Sequence, residues 1–127
     1  MTKPVIYDAG MLIALEKSDR RAVIHHEQVS ELDQPLVPAS VLAQVLRDPA
    51  RQAKLNRVVR MCDVVPLTEL DAREIGPLLN SADSTDVVDA HVVVLGLRLD
   101  AVVYSSDPDD LRKLLTASNA TLPILTV

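Results

Sequence analysis

Short apolar runs alternate with longer stretches whose apolar residues recur at helical spacing, almost from one end of the chain to the other. That alternation predicts a parallel sheet covered by helices on both faces. Val5 to Tyr7 reads as a first strand, followed by a short helix from about Ala9 to Lys17 and a second from about Arg20 to Leu32. Pro35 and Pro38 bracket a very short strand at Leu36-Val37. Ser40 to Arg47 reads as a helix, Pro49 permits a fresh helical start running to about Met61, and Val64 to Leu67 is the third strand. Thr68, with Glu69 and Asp71 in the first turn, opens a helix through Leu70, Ile75, Leu78 and Leu79, which Gly76-Pro77 is expected to kink or break. The polar stretch Asn80 to Thr85 reads as a loop.

Val87 to Leu95 is nearly all apolar and rich in β-branched residues, so local propensity favours a strand. Its length between a polar loop and the next apolar run, with Gly96 near its end, favours a buried helix instead. Ala101 to Ser105 is the fourth strand, Pro108 to about Ala117 a helix, and Pro123 to Val127 a last strand. The expected fold class is therefore α/β: one three-layer α/β/α domain over residues 1–127, with a central parallel sheet of about five short strands.

Composition narrows what such a domain does. The core must be built from Leu, Val, Ile and Ala, because the chain has no Phe or Trp and only Tyr7 and Tyr104. Aromatic platforms for stacking bases are thus nearly absent. The single Cys62 forms no internal disulfide, and no apolar run approaches the ~18 residues of a membrane span, so a cytoplasmic protein without a membrane segment is expected. The net charge of −5 opposes nonspecific nucleic-acid binding. The charge is uneven, however: Arg47, Arg51, Lys54, Arg57 and Arg60 are opposed between residues 47 and 60 by Asp48 alone. On one continuous helix Arg47, Arg51 and Lys54 fall within about 60° of one another, a face able to hold phosphates. An ordinary solvated face is the competing reading.

Four aspartates follow or cap the apolar segments: Asp8, Asp86, Asp89 and Asp107. Asp8 closes the first strand and Asp107 follows the fourth, which puts both at the carboxyl edge of a parallel sheet, where open α/β sheets keep their sites. Each has a structural alternative. Asp86 with Asp89 three residues later resembles a helix cap with an acidic N3, and Asp107 before Pro108 resembles a cap with proline at the first helical position. Asp8 is the exception in this reading, since an unpaired carboxylate at a strand end is costly to desolvate. If Asp8, Asp89 and Asp107 converge, their repulsion calls for a divalent cation, and oxygen-only ligands suit Mg2+ or Mn2+. A hard cation held by carboxylates supports phosphodiester hydrolysis. With three glycines there is no phosphate-binding loop and no Gly-x-Ser-x-Gly elbow, and His25, His26 and His91 have no second motif to pair with.

Taken in order, these segments resemble PIN-domain proteins, and more narrowly VapC-type toxins of toxin–antitoxin pairs. The resemblance spans essentially the whole chain. It rests on residues 5–15 (VIYDAGMLIAL), 37–45 (VPASVLAQV), 85–91 (TDVVDAH) and 103–111 (VYSSDPDDL). It implies a compact α/β/α sandwich, commonly dimeric, whose acidic pocket binds Mg2+ or Mn2+ and cleaves single-stranded RNA, with a cognate antitoxin as partner. By position, Asp8 corresponds to the first acid, Asp89 to the third and Asp107 to the fourth, with Asp86 one turn before Asp89 facing the same pocket. Ser105 corresponds to a small hydroxyl residue preceding the last acid.

The second acid of that pattern is replaced by Gln44, which adds no negative charge and cannot act as a general base. Asp86, or Glu16 from the first helix, is the candidate to compensate. Two expectations follow: a metal-dependent endoribonuclease held inactive by an antitoxin, or a catalytically weakened or silent PIN-like module binding RNA or protein through its basic helix. A receiver-like phosphoacceptor domain is disfavoured, because the chain lacks an acidic pair near the first strand and a lysine ending a late one.

Overall fold

The computed structural model describes residues 2–127. A five-stranded parallel sheet, β1 (Val5–Tyr7), β2 (Leu36–Pro38), β3 (Asp63–Val65), β4 (Val102–Ser105) and β5 (Ile124–Thr126), runs in the order β3-β2-β1-β4-β5. The helices are α1 (Ala9–Glu16), α2 (Arg20–Leu32), α3 (Ala39–Val45), α4 (Ala53–Arg60), α5 (Glu69–Ala82), α6 (Val87–Leu99) and α7 (Asp109–Ala117). α1 packs against α2, α3 and α4, while α5, α6 and α7 pack against one another, giving the three-layer α/β/α arrangement that the apolar pattern predicts.

The strand order has a functional consequence. The first two crossovers step outward from β1 through β2 to β3; the third returns across the sheet to β4 on the other side of β1. β1 and β4 are therefore neighbours from which the chain leaves in opposite senses. Right-handed crossovers then send α1 to one face and α7 to the other, opening a crevice at the carboxyl ends of this strand pair.

Between the layers lies an aliphatic core in which Ile6, Met11, Leu12, Val37, Val41, Leu55, Val92, Val93 and Val103 are fully buried. α6 is the buried helix that length, rather than propensity, predicted: Ala90 to Gly96 are all buried. Tertiary burial overrides the β-branched preference there. Cys62 is a buried free thiol whose Sγ lies 3.2 Å from the Val58 carbonyl, and burial pushes its pKa up to about 12, as expected for an inert structural cysteine.

Four boundaries differ from the sequence expectation. β3 covers Asp63–Val65 instead of Val64 to Leu67, because the Asp63 N–H already pairs with the Pro35 carbonyl at 2.8 Å and Pro66 has no N–H to continue the ladder. α5 runs unbroken through Gly76-Pro77 to Ala82; both residues are exposed, so water can take the carbonyl that proline leaves unpaired. The expected loop at Asn80 to Thr85 shrinks accordingly, and Asp83 at φ 51° ends the helix in the left-handed conformation that Asp tolerates. Finally, α3 stops at Val45, and a 3-10 turn at Pro49–Arg51 separates it from α4. Arg47, Arg51 and Lys54 therefore do not lie on one continuous helix face.

Candidate active site at the carboxyl edge of the sheet

Asp8 is 4% exposed at the end of β1. Its N–H pairs with the Tyr104 carbonyl at 3.3 Å, and its Oδ1 accepts from the Met11 N–H at 2.8 Å, which makes it the N-cap of α1. This corrects the view that Asp8 lacks a structural use. It caps a helix, and it does so with one oxygen of a buried charge. Burial raises its pKa; hydrogen bonds from Ser105, Met11 and Gly10 oppose the rise, and the charge of Asp107 adds to it.

Ser105 is fully buried at the end of β4 and joins two of the acids. Its Oγ accepts from the Asp107 N–H at 3.0 Å, and its hydroxyl is near enough to the Asp8 carboxylate to oppose the rise in that group's pKa. A hydroxyl has one donor and two acceptor sites, so Ser105 can serve both neighbours at once. Asp107 itself is exposed and does not cap α7: Pro108 is the N-cap, and no side chain closes that helix end. The capping alternative for Asp107 is thereby removed, leaving its carboxylate uncommitted.

Asp86 caps α6, accepting the Asp89 N–H at 3.0 Å, so for Asp86 the structural alternative is realised. Asp89 is half-buried in the first turn of α6. Its pKa is pushed up to about 7, first by burial, then by the charge and hydrogen bond of Asp86, then by the charges of Asp8 and Asp110. Asp110, in the first turn of α7, belongs to this acidic field although only its capping role was weighed in the sequence. Its i, i+3 spacing from Asp107 is the signal that could have placed it. Carboxylates from β1, α6 and the β4–α7 turn thus act on one another across the crevice.

Among the described residues no three His, Cys, Asp or Glu side chains stand together as a ready-made metal cage. The donor chemistry nevertheless suits a hard cation: every candidate ligand is a carboxylate oxygen, and burial first, with neighbouring carboxylate charge adding to it, raises the pKa values of Asp8 and Asp89. Mg2+ commonly binds through one or two carboxylates with water and substrate phosphate filling the remaining positions, so a closed three-ligand cage is not required.

The auxiliary candidates separate. Gln44 is exposed on α3, one turn beyond Ser40, whose Oγ lies 2.6 Å from Nδ1 of buried His91 two residues after Asp89. Glu16 is not at this edge. It ends α1, about 12 Å along the helix from the Asp8 cap, and its Oε2 accepts from Gln52 Nε2 at 3.0 Å.

The seat of α6 is fixed from behind. Nε2 of His91 lies 3.5 Å from Asp71 Oδ2. Asp71 accepts from the Thr68 N–H at 2.8 Å and from Arg98, whose Nη2 also donates to Glu74 at 3.1 Å. Burial pushes Asp71 up, but these bonds and the Arg98 charge outweigh it and hold its pKa low. Burial likewise lowers the His91 pKa, despite the charge of Asp71. His26 is buried against Tyr7, with Nδ1 and the phenol oxygen 2.8 Å apart. Both histidines are buried in packing contacts away from the acidic edge, Nδ1 of each hydrogen-bonded to a hydroxyl.

Gly10 lets α1 approach the β4–α7 turn. A Cβ there would meet Ser106 Oγ at 2.6 Å, the Ser106 backbone nitrogen at 3.3 Å and Asp8 Oδ1 at 3.4 Å. The hydroxyl can rotate away but the backbone nitrogen cannot, so Gly10→Ala is expected to shift Asp8 relative to Asp107 by a few tenths of an ångström. A full ångström of misplacement can cost about 100-fold in rate, so this variant should lose up to about 10-fold in cleavage. Kinetics alongside a thermal melt check it; a melt lowered in step with activity would point to general destabilisation instead.

The architecture is a three-layer α/β/α fold around a parallel five-stranded sheet with acidic side chains at its carboxyl edge. No protein-family model matches the chain, and no curated protein matches it in sequence. Solved structures do match its fold. VapBC2 from Rickettsia felis, crystallised with a DNA fragment from its promoter, superposes with a TM-score of 0.71 at 11% identity, covering 97% of this chain and 98% of that one. FitAcB from Neisseria gonorrhoeae gives 0.65 at 12% identity, covering 96% of each chain. PAE2754 from Pyrobaculum aerophilum gives 0.61 at 19% identity, covering 95% of this chain and 91% of that one. The likeness extends over the whole chain and is one of fold.

Proposed function

We propose that this protein is a metal-dependent endoribonuclease, the toxin of a toxin–antitoxin pair. The observation that carries the reading is that the charge of Asp107 acts on Asp8 and the charge of Asp8 acts on Asp89 at the switch point between β1 and β4. Full-length fold similarity to VapBC2 and FitAcB supports the toxin assignment and a cognate antitoxin as partner. In this reading Asp8, Asp89 and Asp107 would hold Mg2+ or Mn2+ together with water and substrate phosphate rather than as a closed cage, and the ion would supply positive charge for the phosphoryl oxygens. Ser105 orients Asp8 through its hydroxyl, Asp86 fixes the first turn of α6, and Arg47, Arg51 and Lys54 hold RNA phosphates. The protein acts as a homodimer in the cytoplasm; light scattering of the purified protein tests the dimer.

Gln44 favours a second reading, a PIN-like module that binds RNA or protein with weak or no cleavage, since the acidic edge forms no ready-made cage and lacks this carboxylate. One assay separates the two. Purified protein is incubated with a mixed-sequence RNA in Mg2+ or Mn2+, with EDTA as control. Metal-dependent fragments establish the nuclease, whereas binding without fragments establishes the silent module. Gln44→Glu should raise metal affinity and cleavage about 10-fold, because one more carboxylate adds attraction for the cation. If neither changes, exposed Gln44 lies outside the pocket.

A further inference from the structure

The basic residues of the α3–α4 segment do not share a helix face, yet the fold brings them to a second set of cations that the sequence keeps far away. Gln52 is the fastener. Its Oε1 accepts from the N–H groups of Arg47 and Asp48 at 2.9 and 3.0 Å. Its Nε2 donates to the Val45 carbonyl and to Glu16 Oε2, both at 3.0 Å. All four positions of the side-chain amide are used, so no other residue could replace it bond for bond. Beside it, Lys54 Nζ donates to Ser18 Oγ in the left-handed turn between α1 and α2. Arg47 is pinned by its own Nη1, which donates to the Ala43 and Leu46 carbonyls at the end of α3.

The Gln52–Glu16 and Lys54–Ser18 bonds tie the segment that carries Arg47, Arg51 and Lys54 to the end of α1 and to the α1–α2 turn, where Lys17 stands just before Ser18 and Arg20 and Arg21 just after Asp19. All six cations are exposed. The acids among them are engaged: Glu16 by Gln52, Asp48 by Arg51 at 3.5 Å, and Asp19 by the Ala22 N–H at 3.0 Å as the cap of α2. Six cations against three anions make a positive island on a chain whose net charge is −5.

We propose that Lys17, Arg20, Arg21, Arg47, Arg51 and Lys54 form one composite surface that binds the phosphate backbone of single-stranded RNA beyond the acidic pocket, with Gln52 as its positioning residue. The proposal rests on the ribonuclease reading for the choice of polyanion. α1 links the two regions: Asp8 caps its start and Lys17 its end, about 13 Å apart. An acidic catalytic edge repels a polyanion, so a neighbouring cationic surface is what lets substrate approach. No Phe or Trp is present, Tyr7 is buried and Tyr104 packs against Tyr7 and His25, so recognition here is of phosphates and independent of sequence.

The test is binding of a fluorescent 12-nucleotide oligouridylate in EDTA, where no cleavage occurs, across a range of salt concentrations. Each phosphate contact to a single strand contributes about 0.7 to the slope of log K against log salt, so the triple variant Lys17→Ser/Arg20→Ser/Arg21→Ser should lower that slope by about 2. Its affinity at low salt should fall about 10-fold, with an unchanged circular dichroism spectrum. Gln52→Ala keeps every cation but frees the segment, so affinity should fall several-fold at an unchanged slope; unaltered affinity would remove Gln52 from the proposal. Unchanged slope and affinity in the triple variant would overturn the surface. So would competition by polyglutamate as effective as by RNA at equal charge, which would assign the patch to an acidic protein segment. Should wild type bind as described yet yield no fragments in Mg2+ or Mn2+, the nuclease reading fails and the surface stands. Cleavage at the same KM in the triple variant has the opposite meaning.

Discussion

Asp8→Asn is expected to reduce metal-dependent RNA cleavage by at least about 100-fold while leaving the protein folded and no less stable. Replacing partners that merely support metal ligands typically costs 10–100-fold, so removing the charge of a direct ligand should exceed that range. The structural side of the substitution is favourable. Asn and Asp are comparable N-caps, so the bond from the Met11 N–H survives in the variant. The charge lost is one that burial already disfavours, as the raised pKa of Asp8 records. Asp8→Ala is the complementary control: it loses both the charge and the cap, and the missing cap should cost about 1 kcal/mol. Rates with saturating Mn2+ and thermal melts on both variants check the expectation. If Asp8→Asn retains cleavage while Asp8→Ala loses it, Asp8 is only a helix cap and the pocket's first acid lies elsewhere.

That Asp8 is both a helix cap and a buried carboxylate at the sheet edge explains where the sequence was legible and where it was not. The strands were visible because short apolar runs between turn residues have few other readings, and their parallel alternation with helices predicted the layers. The acids were visible because strand ends in such a sheet converge on one edge whatever the sequence between them. What a given aspartate caps was not visible. Asp107 before Pro108 has the form of a cap and is none: Pro108 is already at helical φ −84° and ψ −2°, and no side chain accepts from the first N–H groups of α7. Asp8 had no such form and caps α1, because the chain turns from β1 directly into a helix.

The same limit applies to α3 and α4. Helical spacing placed Arg47, Arg51 and Lys54 on one face, but Gln52 draws the segment into a 3-10 turn by bonding across to Glu16, 36 residues earlier. No local pattern encodes that contact. It also reassigns Glu16, a candidate pocket acid by sequence, to holding the basic surface together.

Asp89→Asn should separate stability from function most clearly. The folded-state pKa of Asp89 is pushed up to about 7 from an ordinary 3.8, so between about pH 4 and pH 7 the folded protein retains a proton that the unfolded chain has released. Stability changes with pH in proportion to the protons bound by the unfolded state minus those bound by the folded state. That difference is negative here, so the metal-free protein loses stability as pH rises through this window and levels off above it. One pKa unit corresponds to 1.36 kcal/mol, but Asp89 is only half-buried, and solvent screening reduces the effect to about 1–2 kcal/mol. Asp89→Asn removes this loss, so its melting temperature in EDTA should be flatter with pH and several degrees higher at pH 8. Wild type at pH 8 should regain those degrees on addition of Mn2+, since a ligand that binds only the folded state stabilises it, and the variant should regain little. Cleavage by the variant should nevertheless fall at least about 100-fold. A wild type whose melting temperature ignores both pH and Mn2+ would show that these carboxylates neither repel one another nor hold a cation, and the acidic crevice would lose its claim to be the active site.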